Sequence, residues 1–188
     1  MEFSKNIIRQ IDEQLGYLHR TRAVFPFLPE TLNGEKRFVT APYYQGMGFT
    51  YIFEFATPLT LDFIKSHNDL AHWINQNFVV RLYAVLESNG LISQAIQIRP
   101  DLQGHEEVDI VRRLRNQFGH GPGNYDPTDP EKKKLFDRIR TYFNLSNEEI
   151  SRSEGKFPLP INQVLVPLAE GCKRYAAEVE RTENQIPN

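Results

Sequence analysis

In residues 60–90 the apolar side chains Phe63, Ile64, Leu70, Ala71, Ile74, Phe78, Leu82 and Val85 recur at three- and four-residue steps, and Asn89-Gly90 follow them. That spacing is the signature of an amphipathic helix, and a glycine just past its end is a stop. At 1.5 Å per residue, the run from Thr60 to Ser88 spans roughly 40 Å, the length of a full bundle element. A helix this long needs partners to cover its apolar stripe, so the neighbouring segments are read as those partners.

Downstream, Pro100 and Gly104 break the chain before a second helix. Val108, Val111, Leu114 and Phe118 form its stripe, and Gly119 its stop. Glu106, Glu107 and Asp109 sit in its first turns and Arg112, Arg113 and Arg115 in its last, matching the helix dipole at both ends. After a polar turn over 124–129, Asp129 caps a further helix with Pro130 in its first position. Its stripe is Leu135, Phe136, Ile139, Tyr142 and Phe143, and Lys132-Lys133-Lys134 read most simply as its solvated face, with contact to a phosphate backbone as the alternative. Ser146 and Glu149 have capping-box spacing for a short helical turn. Beyond Pro158 and Pro160, Val164, Leu165, Leu168, Cys172, Tyr175, Ala176 and Val179 mark a last long helix, in which Pro167 is either a kink or the true start. The polar tail from Thr182 is expected to fray.

Upstream, Ser4 is placed to cap a first helix reaching about Arg20, with Ile7, Ile8, Ile11, Leu15 and Leu18 on one face. Residues 25–36 read as loop. Phe49, Tyr51, Phe53 and Phe55 alternate with Thr50, Ile52 and Glu54, a period of two in β-favouring residues. Gln45-Gly46-Met47-Gly48 would turn this strand against Arg37–Tyr44, giving a small hairpin over 37–55 whose first arm is an edge because of Pro42. The sum is a mainly α chain: a bundle of four to five helices, with its helical core over about 60–181 and a β-hairpin insertion, in one domain of 188 residues.

A formal charge of −2 and a pI near 6.2 exclude a protein that coats nucleic acid by bulk electrostatics; any such binding must come from a local patch. Cys172 is the only cysteine and lies in an apolar helical pattern, so it is read as core rather than nucleophile. Met1-Glu2-Phe3-Ser4-Lys5 lacks a basic region followed by an apolar run, and no stretch has the length of a membrane span. A cytoplasmic protein that makes no membrane contact is the expectation. His67 and His72 are five apart and point in different directions, so they are read as solvated or locally bonded. His105 and Asp109, four apart, are read as a surface contact. No metal site and no cofactor is expected.

One constellation carries chemistry: Arg115-Asn116-Gln117-Phe118-Gly119-His120. On an unbroken helix a separation of five turns the chain by about 500°, leaving Arg115 and His120 about 140° apart. A break at Gly119 would remove that restriction. The planar guanidinium of Arg115 suits phosphate oxygens, His120 suits proton transfer near neutral pH, and Asn116 can orient a hydroxyl or the imidazole. These are the parts for cleaving an RNA phosphodiester without a metal, the 2′-hydroxyl attacking its own phosphate. The bland alternative is that Arg115 caps free carbonyls and His120 is a polar residue at a helix C-terminus.

The stretch Arg115-Asn116-x-x-x-His120 resembles the Arg-Asn-x-x-x-His motif of the HEPN superfamily, with a long amphipathic helix before it and further helices after it. The likeness covers roughly residues 60–180. It implies a helical bundle that dimerises with itself so that two motifs meet in one cleft, and a metal-independent endoribonuclease acting as a toxin or defence effector, with an antitoxin protein as a further partner. It implies that Arg115 binds the phosphate, His120 is the acid and base, and Asn116 is the polar position after the arginine. Arg112 and Arg113 beside the motif are added as contacts to the RNA backbone. One HEPN subgroup carries a modifiable tyrosine two residues after the histidine; here that position is Pro122, and Tyr125 is out of register. The rival function is a non-catalytic helical module binding nucleotide, nucleic acid or a partner protein.

Overall fold

The computed structural model describes residues 3–40, 50–93, 95–119, 123–153 and 155–184. Among them are six helices and one small antiparallel sheet: α1 Phe3–Val24, β1 Arg37–Val39, β2 Ile52–Glu54, α2 Leu61–Ser88, α3 His105–Gly119, α4 Pro130–Tyr142, α5 Asn147–Ser151 and α6 Val166–Glu183. None of these helices is long and apolar enough to cross a membrane.

The run expected over Thr60–Ser88 is α2, with Thr60 Oγ1 accepting from the Phe63 amide and Gly90 in a left-handed conformation (φ 72°) past its end. Its buried arc keeps Ile64, Ala71, Phe78, Leu82 and Val85 of the expected stripe, and departs from it in part. Phe63 and Leu70 are 46% and 47% exposed, while Asn68, His72, Asn75 and Gln76 are buried beside Ile64, Ala71, Val79 and Leu82. The polar residues face inward because backbone groups there need partners. Asn68 accepts from the Leu28 amide and donates to the Leu28 carbonyl, both at 2.9 Å, and Asn75 donates to the Leu159 carbonyl at 3.0 Å.

The chain forms two compact units, and the division falls within α1 and α2. The smaller one, Gly16–Ile74, has a core of Leu28, Leu59 and Ile64 packed by Leu32, Phe38 and Phe55. The hairpin pairs Arg37 with Glu54, Phe38 with Phe53 and Val39 with Ile52. Its pairing extends through Phe55 N to Lys36 O and Thr40 N to Tyr51 O. The expected turn at Gln45–Gly48 and the edge call on Pro42 lie outside the described residues. His67 stacks on Phe25 at 3.9 Å and bonds the Pro26 carbonyl at 2.8 Å, and His72 is buried against Phe27. The fully buried Arg22 guanidinium lies 4.2 Å from the Phe27 ring centre.

The larger unit, Met1–Leu15 with Asn75–Asn188, is helical, and α3 packs chiefly on α6. Ser4 is not a cap: α1 already includes Phe3, and the Ser4 hydroxyl donates to Glu180 of α6. The helix also runs past Arg20, to Val24. Local signals hold at α4, where Asp129 accepts from the Glu131 and Lys132 amides with Pro130 following, and at α5, where Ser146 and Glu149 cap each other. Pro167 marks a start: a π turn over Ile161–Leu165, with Leu165 N bonded to Pro160 O, precedes α6. Thr182 is not frayed, since its hydroxyl donates to the Val179 carbonyl and accepts from Arg99 within α6. Cys172 is fully buried, and that burial pushes its thiol well up.

Candidate functional site

α3 carries the motif and is fixed first at its N-terminal end. Gly104 (φ 85°) lets the chain turn directly over α6: a Cβ there would overlap the Gly171 carbonyl oxygen and lie 2.9 Å from the Tyr175 amide nitrogen. Gly171 in turn leaves room for the Glu107 side chain. Glu107 is buried and accepts from Arg174 at 2.6 Å. Burial and the adjacent Glu107 carboxylate push the Tyr142 hydroxyl up to about 12. Val108, Val111 and Leu114 are fully buried, as their spacing predicts.

The helix continues to Gly119, so the arginines lie along its middle rather than in its last turn. Gly119 itself is helical and has no left-handed backbone; among the described residues the left-handed glycine that follows the motif is Gly123 (φ 70°), where a Cβ would come within 2.6 Å of the Gln76 side chain. His120, with Gly121 and Pro122, lies outside the described residues. The flanks on either side of it are held by rings. Phe118 meets Phe157 edge-on at 6.2 Å, and Tyr125 stacks on Phe136 at 4.1 Å while bonding the Gly155 carbonyl through its amide.

Arg115 and Asn116 are brought together on the outer face of α3, where Arg115 Nη1 donates to Asn116 Oδ1 at 3.3 Å. The Arg115 guanidinium carbon sits 4.9 Å from the ring centre of Tyr83 on α2. Tyr83 is buried, and its hydroxyl donates to Glu87 Oε1 at 3.3 Å. Burial and then the Glu87 carboxylate raise the Tyr83 hydroxyl, against the opposing charges of Arg115 and Arg112. A ring face attracts a cation without using its N–H donors, so the donors of Arg115 remain available to an oxyanion.

Arg112 and Arg113 are drawn elsewhere. Asp109 accepts from Arg112 Nη2 at 2.5 Å, Arg113 Nε at 2.9 Å and Arg138 Nη1 of α4 at 2.6 Å; Arg138 also bonds Glu106 at 2.8 Å. Among the described residues Arg115 alone of the α3 arginines makes no ion pair. No family model, curated protein or solved structure matches the chain.

Sequence reading missed Tyr83, Asp109 as a hub, and Arg138. Tyr83 falls in the period of α2, but its pairing with Arg115 is non-local. His105 and Asp109 make separate contacts, His105 Nδ1 with the Leu102 carbonyl at 2.8 Å. Burial alone would raise the Asp109 carboxyl, but hydrogen bonds from Arg138, Arg113 and Arg112 outweigh it and hold the group far below the usual carboxylate range. A depressed folded-state value contributes stability that is present above the ordinary value of 3.8 and is lost as pH falls through the folded-state value. The stability difference between wild type and Asp109→Asn, from urea midpoints, is therefore expected to be constant above about pH 5 and to shrink steadily in stronger acid. A difference that grows in acid would contradict the ion-pair assignment.

Proposed function

We propose that this chain is a metal-independent endoribonuclease of the HEPN type, a toxin or defence effector acting as a homodimer with two motifs in one cleft. The observation that supports this best is Arg115: a cation at the motif's first position, supported on an aromatic face and free of ion pairs among the described residues. In this proposal Arg115 neutralises the charge that develops on the phosphate as the 2′-hydroxyl attacks. His120 takes the hydroxyl's proton and then gives one to the departing 5′-oxygen, a role that rests on its place in the motif. Asn116, exposed beside Arg115, orients the ribose hydroxyl or the imidazole.

The decisive experiment is RNA cleavage in the presence of excess chelator, with analysis of the new ends. The expected products are a 2′,3′-cyclic phosphate and a 5′-hydroxyl. Absence of cleavage without added divalent metal would overturn the metal-free scheme. Expression in a bacterial host separates the rival: a nuclease toxin arrests growth, whereas a high-yield, harmless protein is a non-catalytic binding module. The ring under Arg115 gives a finer test. Tyr83→Leu is expected to lower cleavage by up to about tenfold, the equivalent of a cation–π contact, while Tyr83→Phe keeps most of the activity. Equal losses in the two variants would show that the hydroxyl, not the ring face, matters.

A further inference from the structure

One turn before Arg115, α3 borders a cleft of about 530 Å³ lined by Arg112 and Arg113, the two arginines set beside the motif as contacts to an RNA backbone. One wall is the segment carrying Ile98 and Pro100; the other is the face of α3 with Asp109, Arg112 and Arg113, closed by Arg138 of α4. This volume is in the range of small-molecule sites, and its mostly polar lining, which includes Gln97 and His105, carries an apolar patch at Ile98 and Pro100. Three guanidiniums face two carboxylates, Asp109 and Glu106, so one positive charge is in excess.

The bonding pattern says which donors are left over. Asp109 Oδ1 accepts from Nε and Nη2 of Arg112, and Oδ2 from Nε of Arg113 and Nη1 of Arg138. Arg138 turns its other two nitrogens, Nε and Nη2, to Glu106. Arg113 is thus held by Nε alone, and both of its Nη groups lack a partner among the described residues. A guanidinium anchored at one corner with its two terminal nitrogens open is a preorganised fork for two phosphate oxygens. Asp109 supplies the anchoring, as a positioning residue.

We infer that this cleft binds the phosphate of a nucleotide on Arg113, assisted by Arg112, with the nucleoside laid against Ile98 and Pro100. The phosphate belongs either to a free nucleotide or to a nucleotide within an RNA strand. Only the strand form rests on the ribonuclease proposal; phosphate binding does not depend on cleavage. The site is separate from the Arg115 motif.

The test is calorimetric titration with two probes, AMP and a 2′-O-methyl RNA tetranucleotide, which has no free 2′-hydroxyl at its internal linkages and so reports binding without cleavage there. Wild type is expected to bind at least one probe saturably, with inorganic phosphate competing. Arg113→Ala should weaken that binding at least tenfold. Arg113→Lys keeps a cation for Asp109 and loses the fork, so it should weaken binding severalfold even if the alanine variant melts early. Binding of AMP assigns the cleft to free nucleotides; binding of the tetranucleotide alone assigns it to a strand. If folded wild type binds neither probe, or if Arg113→Lys and Arg113→Ala both bind as wild type does, the inference is overturned. Failure of cleavage with AMP binding intact would remove the ribonuclease proposal and leave this one standing.

Discussion

Arg115→Ala is expected to lower RNA cleavage by about two to three orders of magnitude, the usual loss when one preorganised donor to a developing oxyanion is removed. The fold should tolerate it. Arg115 is half-buried and its described contacts are the Tyr83 ring face and the neighbouring Asn116, which together support about 1 kcal/mol or less. Cleavage rate and urea midpoint therefore separate cleanly: the first collapses and the second barely moves. His120→Ala should match it in rate. Cleavage retained in both variants would remove Arg115 and His120 from the chemistry. A loss of rate that tracks a loss of folded protein would make Arg115 structural.

Gly104→Ala is expected to be the most damaging small substitution near the site, costing about 3–5 kcal/mol. Two penalties act together. The backbone is left-handed at φ 85°, and the new Cβ would strike the Gly171 carbonyl oxygen and crowd the Tyr175 amide, both main-chain groups that cannot swing aside. Gly119→Ala is the control. No atom lies within 4 Å of its Cβ position and its backbone is helical, so alanine there should be neutral or stabilise by up to about 1 kcal/mol. Urea unfolding of the two variants decides the matter. Equal midpoints would mean that the close approach of the 104 turn to α6 is wrong.

The contrast between those glycines shows how much was legible in the chain. Gly119 looks like the hinge because an arginine-rich helix ends there and the histidine follows. Among the described residues, those in left-handed backbone near α3 are Gly104 and Gly123, and their constraint comes from Gly171 and Gln76, which are distant in sequence. Local chemistry was readable: the Asp129-Pro130 start of α4 and the Ser146/Glu149 box of α5 need only neighbouring atoms. Periodicity located α2 and most of its buried face, Ile64, Ala71, Phe78, Leu82 and Val85, but it missed Asn68 and Asn75, which are buried by the backbone groups they satisfy, and wrongly included Phe63 and Leu70. The motif placed Arg115 beside Asn116, yet the Tyr83 ring and the Arg138 contact arrive from α2 and α4 and leave no local trace. The hairpin's alternation was correct in kind: Phe38 and Phe53 are half-buried while Val39 and Ile52 face out.

Asp109 has a consequence of another sort. It is a single carboxylate holding three guanidiniums, so neutralising it to asparagine would raise the local excess from one positive charge to two while freeing the side chains that bear it. Attraction for any polyanion should rise, with a steeper dependence on salt, and discrimination among anions should fall as the fork of Arg113 loses its fixed direction. If the cleft binds a nucleotide phosphate as inferred, the acid is a brake on stickiness: it would trade strength of binding for choice of ligand, and a chain without it would hold polyanions more tightly and tell them apart less well.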